Sequence, residues 1–211
     1  MEAGAARPTR SMGAQRAAAA GAVARRRVAE PNGWWGMALF MCAEATLFGT
    51  LLATYFYLDF DARRWPPAGI KAPSVVLPLL GTAVLVSMSL PMVLAARAAR
   101  AGRRRPASQL IAFALLVQCC YLALQILLFR RDLNDFSPKA TAYGSIYFTI
   151  LAAHHAHVLF GILLDAVVLA YVAARGLTNY WLIGVRGVAL YWHVVNVLAV
   201  LVVLTQLSPS L

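Results

Sequence analysis

Five runs of apolar residues divide this chain, each close to or above the roughly 20 residues that an α-helix needs to cross a bilayer. They fall at about 33–58, 75–96, 109–129, 143–174 and 187–207. Inside hydrocarbon every backbone amide must bond within its own segment or a closed barrel, and runs of this length meet that demand as helices. Apolar residues make up 61% of the 211, more than a soluble globule of this size can cover with polar surface. The expected fold class is all-α integral membrane, a five-transmembrane-helix bundle occupying residues 33–207. The connections are short, which makes one antiparallel bundle and not two domains. Residues 1–32, rich in Ala and Arg, read as a basic, weakly ordered cytoplasmic tail.

The formal net charge of +11 does not mark a nucleic-acid surface, because the basic residues sit in the gaps between apolar runs and not on one helical face. Their distribution sets a topology instead. With the N-terminus cytoplasmic, thirteen Lys and Arg side chains lie inside: Arg7, Arg10, Arg16, Arg25, Arg26, Arg27, Arg97, Arg100, Arg103, Arg104, Arg105, Arg175 and Arg186. Six lie outside: Arg63, Arg64, Lys71, Arg130, Arg131 and Lys139. The positive-inside rule then puts the C-terminus outside, and Arg103, Arg104 and Arg105 are placed to attract anionic headgroups. Cys42, Cys119 and Cys120 fall within spans without metal-finger spacing and read as packing residues. The first run is too long for a signal-peptide core and has no small-residue cleavage site after it. Pro78 and Pro91 both fall in the second span, where a missing N–H kinks a helix and frees a carbonyl.

Glu44 stands near the middle of the first run. A charge at that depth costs about 2.5–3.5 kcal/mol on insertion scales, so the carboxyl is expected to be protonated, turned toward other helices, or paired. In the fourth run, at about 100° per residue, Tyr143, Tyr147, His154, Gly161 and Asp165 share a narrow stripe. His157 flanks it, and His155 points elsewhere. Gly161 is expected to let a neighbouring backbone approach. The fifth run opens with Tyr191, Trp192, His193 and Asn196, the last two on one side. Glu44 and His154 each lie about 15 Å from their entry points, while Asp165 and His193 both fall in the inner half. Depth and the cost of unpaired polar groups predict two cross-helix contacts, Glu44 with His154 and Asp165 with His193.

His154 and His157 could approach one metal from a single helix. No Glu-x-x-His pair occurs on two helices, however, and only one run is dense in histidine, which favours interhelical hydrogen bonding over a bound haem or non-haem iron. Ser145 lacks a nucleophile-elbow context, and no cysteine adjoins a histidine in sequence. A proton relay through Glu44 stays open, because intramembrane carboxylates often mark proton paths.

Three blocks carry a resemblance: Trp35-Gly-Met-Ala-Leu-Phe-Met-Cys-Ala-Glu44, His154-His-Ala-His157-Val-Leu-Phe-Gly161 and Tyr191-Trp192-His193-Val-Val-Asn196. In order and spacing the chain resembles subunit III of the haem-copper oxidases, most closely the cytochrome c oxidase version in its short five-helix bacterial form. The resemblance implies a non-redox accessory subunit of the aerobic respiratory chain in the bacterial inner membrane. Such a subunit packs against subunit I, with subunit II in the same complex, and holds phospholipid in a cleft. It supports proton uptake and stable turnover while haem and copper in the partner subunits reduce O2 to water. This chain would hold no catalytic centre, no metal of its own and no nucleic acid. On that basis Glu44 corresponds to the family's buried carboxylate, proton-linked or structural, while Trp35, His154, His157, Asp165, Trp192, His193 and Asn196 tie helices or line the lipid cleft. The pattern departs from the family at Asn196, where an Asp is usual, at His155, where a Gly is usual, and in the two extra N-terminal helices of longer members. Two related readings are the third subunit of a quinol oxidase and the accessory protein of a nitric oxide reductase. From other classes come a small proton channel or transporter using Glu44, and an independent haem protein.

Overall fold

A computed structural model of the chain describes residues 32–70, 74–175 and 179–208, so the expected tail up to residue 31 and Lys71 lie outside the described residues. Among the described residues there are six helices and no strand: α1 (Asn32–Asp61), α2 (Val76–Ser87), α3 (Ser89–Arg100), α4 (Arg104–Asp135), α5 (Ala142–Arg175) and α6 (Asn179–Leu207). Five stretches among the described residues are long and apolar enough to cross a membrane, namely Gly33–Asp61, Val76–Arg100, Arg104–Asp135, Ala142–Ala174 and Ile183–Leu207. This is a multi-pass membrane protein, and α2 and α3 are halves of one span.

The break between those halves has a local cause. Pro91 has no N–H to return to the carbonyl of Ser87 one turn earlier. The Met88 amide bonds to Leu85 O at 3.0 Å, and the Ser87 hydroxyl donates to Val84 O at 2.6 Å. Pro78 interrupts nothing, because it lies in the first turn of α2, where no intrahelical amide bond is required. The helices also run past the apolar runs. α4 begins at Arg104 and ends at Asp135, with charged turns at both ends.

Among the described residues, α6 touches α1, α2, α3 and α5; α4 packs on α2, α3 and α5; α1 touches only α5 and α6; and α4 and α6 make no contact, standing across the ring that the other contacts close. The broken span, α4, α5 and α6 are the four members of that ring, with α4 and α6 diagonal, and α1 lies outside along the α5–α6 edge. Burial follows this plan: 61% of the most apolar window of α6 is buried, against 11% of that of α1. Along α4 the buried residues are Ala107, Ile111, Ala114, Gln118, Tyr121 and Gln125. Along α5 a matching series runs Tyr147, Leu151, His154, Val158, Gly161, Asp165, Val168 and Val172. Both series advance by steps of three and four residues, the repeat of a knobs-into-holes seam. The whole polar stripe anticipated on α5 is thus buried. The three cysteines are not: Cys42, Cys119 and Cys120 are exposed on the outer sides of their helices. They do not pack in the bundle as expected: the seam positions of α4 pass Cys119 and Cys120 by, and Cys42 lies on the outer side of α1.

Candidate functional site

Glu44 Oε2 lies 2.6 Å from His157 Nε2. The other ring nitrogen of His157, Nδ1, is 2.7 Å from the carbonyl oxygen of Ala153 one turn back. A carbonyl oxygen only accepts, so Nδ1 carries a hydrogen, and one further proton sits between Nε2 and the carboxyl. The pair is either imidazolium with carboxylate or neutral imidazole with carboxylic acid. In both forms one proton lies between the two side chains. The Phe48 ring stands edge-on to His157 at 5.1 Å. The side chains are 17% and 19% exposed for His157 and Glu44, and His157 borders an outward-facing hollow of about 200 Å³ with Phe40, Ala156 and Phe160.

The expected partner of Glu44 was His154, and the structure corrects this. His154 turns into the ring, is 3% exposed, and its Nε2 lies 3.2 Å from the Tyr121 hydroxyl of α4. Helix α1 does not meet α4, so a histidine directed at α4 cannot reach Glu44. His157, about 60° away on the same helix, faces α1 instead. His155 lies against α4 as well, its ring edge-on to Phe129 at 5.4 Å.

The second expected contact is corrected too. Asp165 Oδ2 accepts from the Trp192 indole N–H at 2.7 Å, and the His193 ring, about 100° farther round α6, does not reach it. The Tyr191 hydroxyl donates to His157 O at 2.7 Å. These two aromatic residues cross α5 at Gly161, where a Cβ would lie 2.7 Å from Trp192 Cζ2 and 2.9 Å from Tyr191 Cε1. The glycine therefore admits two rings and not a neighbouring backbone.

Further bonds tie the remaining helices. The Asn196 amide donates to Ser89 Oγ at 2.7 Å, joining α6 to the first turn of α3. The Tyr55 hydroxyl donates to Thr205 O at 2.6 Å, joining α1 to α6. Tyr147 donates to Asp132 Oδ2 at 2.6 Å, joining α5 to α4, and Ser208 donates to Asp59 at 2.5 Å. Arg104 caps the Ala173 carbonyl of α5. Trp35 ties no helix; it is 56% exposed and packs edge-on with Trp34 at 5.2 Å. Sequence reasoning does not reach Tyr121, Gln118, Gln125 or Ser89. Gln118 and Gln125 stand seven residues apart in an otherwise apolar run, and that spacing is the available signal.

Among the described residues no three His, Cys, Asp or Glu side chains come together as metal ligands do. His154 Nε2 and both nitrogens of His157 are already committed to Tyr121, Ala153 and Glu44. His154 and His157 face different helices and so do not converge on one metal ion. The hydrogen bonds of this site tie helices, and one of them shares a proton.

A family model described as cytochrome c oxidase subunit III matches residues 24–207. Among similar proteins, the cytochrome c oxidase subunit 3 of Coturnix japonica is 27% identical over 170 residues, covering 78% of this chain and 64% of that protein. The one from Neurospora crassa is 29% identical over 168 residues, covering 77% and 62%. The one from Bacillus subtilis is 28% identical over 173 residues, covering 81% and 83%. The chain thus spans less than two thirds of the length of the Coturnix and Neurospora proteins. The match runs through all five spans and takes in Glu44, His157 and the Tyr191–Trp192 crossing, and the chain belongs to the cytochrome c oxidase subunit III family.

Proposed function

We propose that this chain is the non-redox accessory subunit of a respiratory haem-copper oxidase. It packs against subunit I, with subunit II in the same complex, and holds phospholipid. It supports proton uptake and durable turnover while the partners' haem and copper reduce O2 to water. The observation that carries this reading is how the polar side chains are spent: Glu44 on His157, Tyr121 on His154, Trp192 on Asp165 and Asn196 on Ser89 each link one helix to another. A scaffold needs such ties, whereas a redox centre needs convergent free donors.

The outer face of α1 supports the docking part of the proposal. Trp35, Leu39, Leu47, Tyr57 and Phe60 are all exposed on a helix with two neighbours. In a membrane such a face meets lipid or another subunit. The basic loop between α3 and α4 faces the cytoplasm of a bacterial cell under the positive-inside rule. Glu44 and His157, at the α1–α5 edge, tie helices and share one proton.

Extraction of the full chain from its membrane in mild detergent tests this. A haem-copper subunit is expected to come with it, together with the haem absorption of that partner. Complex stripped of this chain is expected to take up protons more slowly and to lose activity sooner during turnover. A chain that emerges alone and colourless overturns the proposal.

A further inference from the structure

The interior of the four-member ring has more hydrogen-bonding capacity than its direct bonds use. Gln118 is fully buried, and neither end of its amide makes a hydrogen bond of ordinary length and angle. Asp165, also fully buried, gives Oδ2 to Trp192, and its Oδ1 makes no bond of ordinary length and angle, although the Gln118 amide stands close enough to interact with the carboxyl. One turn along α4, Tyr121 has Thr82 and Gln125 as neighbours. Thr82 Oγ1 stands near the Tyr121 hydroxyl without a bond of ordinary length and angle, and Nδ1 of His154, whose other ring nitrogen meets Tyr121, makes none either. Gln125 then reaches a polar cavity of about 440 Å³, bordered also by Ser74, Arg131, Asp132, Asp135 and Gln206, at the end of the bundle where α4 finishes.

Buried amides and carboxyls in folded proteins are almost always hydrogen-bonded, and lipid around the ring supplies no donors. Polar interior sites with two to four partners hold ordered water. We propose that the ring encloses a column of ordered water, anchored between Gln118 and Asp165 and opening past Tyr121, His154 and Gln125 into the outer cavity. The seven residues from Gln118 to Gln125 span about 10 Å at 1.5 Å each, the length of about three or four hydrogen-bonded waters in file. On the other side of Asp165 the ring is closed by Ala99, Ala107, Val168 and Val172, all buried. Access to Asp165 is therefore one-sided. The carboxyl lies nearer the basic loops, yet water reaches it from the opposite face. The column is separate from the Glu44–His157 pair, since α1 makes no contact with α4.

Water-edited solid-state NMR on the full chain, isotopically labelled and reconstituted in phosphatidylcholine bilayers, tests this directly. Magnetisation is expected to pass from water to the Gln118 side-chain amide and the His154 ring as fast as to Gln206 at the cavity, while Ile111 and Val172 stay dark. Gln118→Leu is expected to abolish transfer to the Asp165 carboxyl and to leave transfer to Gln125 unchanged. A core in which Gln118 and Asp165 bond directly and dry would give Gln118 a build-up no faster than that of Ile111. That result overturns the proposal, and the wild-type spectrum alone is enough to obtain it.

Discussion

Substituting Gly161 with alanine adds one methyl group at the tightest crossing in the bundle. The new Cβ would lie 2.7 Å from Trp192 Cζ2 and 2.9 Å from Tyr191 Cε1, well inside van der Waals contact. Neither ring can retreat freely, because Trp192 is bonded to Asp165 and Tyr191 to His157 O, each at 2.7 Å. Forcing a methyl into a packed core costs about 1–3 kcal/mol. If the indole shifts to relieve the clash, the buried Asp165 carboxyl is stranded at a further cost of about 1–3 kcal/mol. Against this stands a gain of about 0.5–1 kcal/mol from replacing a helical glycine. With the indole displaced, the expected net loss is about 1–5 kcal/mol. Gly36 and Gly49, where an added methyl would meet nothing within 4 Å, serve as controls, and alanine there is expected to be neutral or to stabilise by up to about 1 kcal/mol. Reversible unfolding in mixed micelles, followed by tryptophan emission, measures all three. Gly161→Ala unfolding at the same midpoint as Gly49→Ala would refute the reasoning.

Two other substitutions probe the ties. Trp192→Phe leaves Asp165 Oδ2 without its donor and is expected to cost about 1–3 kcal/mol; combined with Asp165→Leu it should reveal a coupling of about 0.5–3 kcal/mol in a double-mutant cycle, and additive losses would show that the bond contributes nothing. Glu44→Gln keeps a hydrogen-bonding partner for His157 Nε2 and is expected to retain most of the stability, whereas Glu44→Leu strands that nitrogen and should cost about 1–3 kcal/mol. Equal losses in the two thermal melts would exclude the shared-proton contact.

The spans are legible in the sequence because hydrocarbon imposes length and apolarity on each one separately. The buried stripe on α5 is legible for a related reason: Tyr147, His154, Gly161 and Asp165 recur at multiples close to the helical repeat. The pairings are not. Depth sorts side chains by level in the membrane, and His154 and His157 differ by about 4.5 Å in level. What separates them is azimuth, and which helix stands at each azimuth is decided by the ring order, which no single span encodes. The same applies to Trp192 and His193, neighbours in level but about 100° apart. Pro91 breaks its span and Pro78 does not because of position relative to the first turn, which requires the helix start to be known. Trp35 carries a family block yet lies on the outer surface, where its neighbours beyond this chain decide its contacts.

The central place of α6 bears on how such a protein is made. Ribosomes deliver a chain from its N-terminal end, so α6 reaches the bilayer after every helix it touches. Until then α1 has only α5 to lean on, and the two halves of the broken span have only each other and α4. Trp192, Tyr191 and Asn196 arrive together on that late segment and engage Asp165, His157 and Ser89 on earlier-made surfaces. Ring closure is thus a late event in biosynthesis, and a lesion in α6 would leave half-built intermediates exposed to membrane proteases.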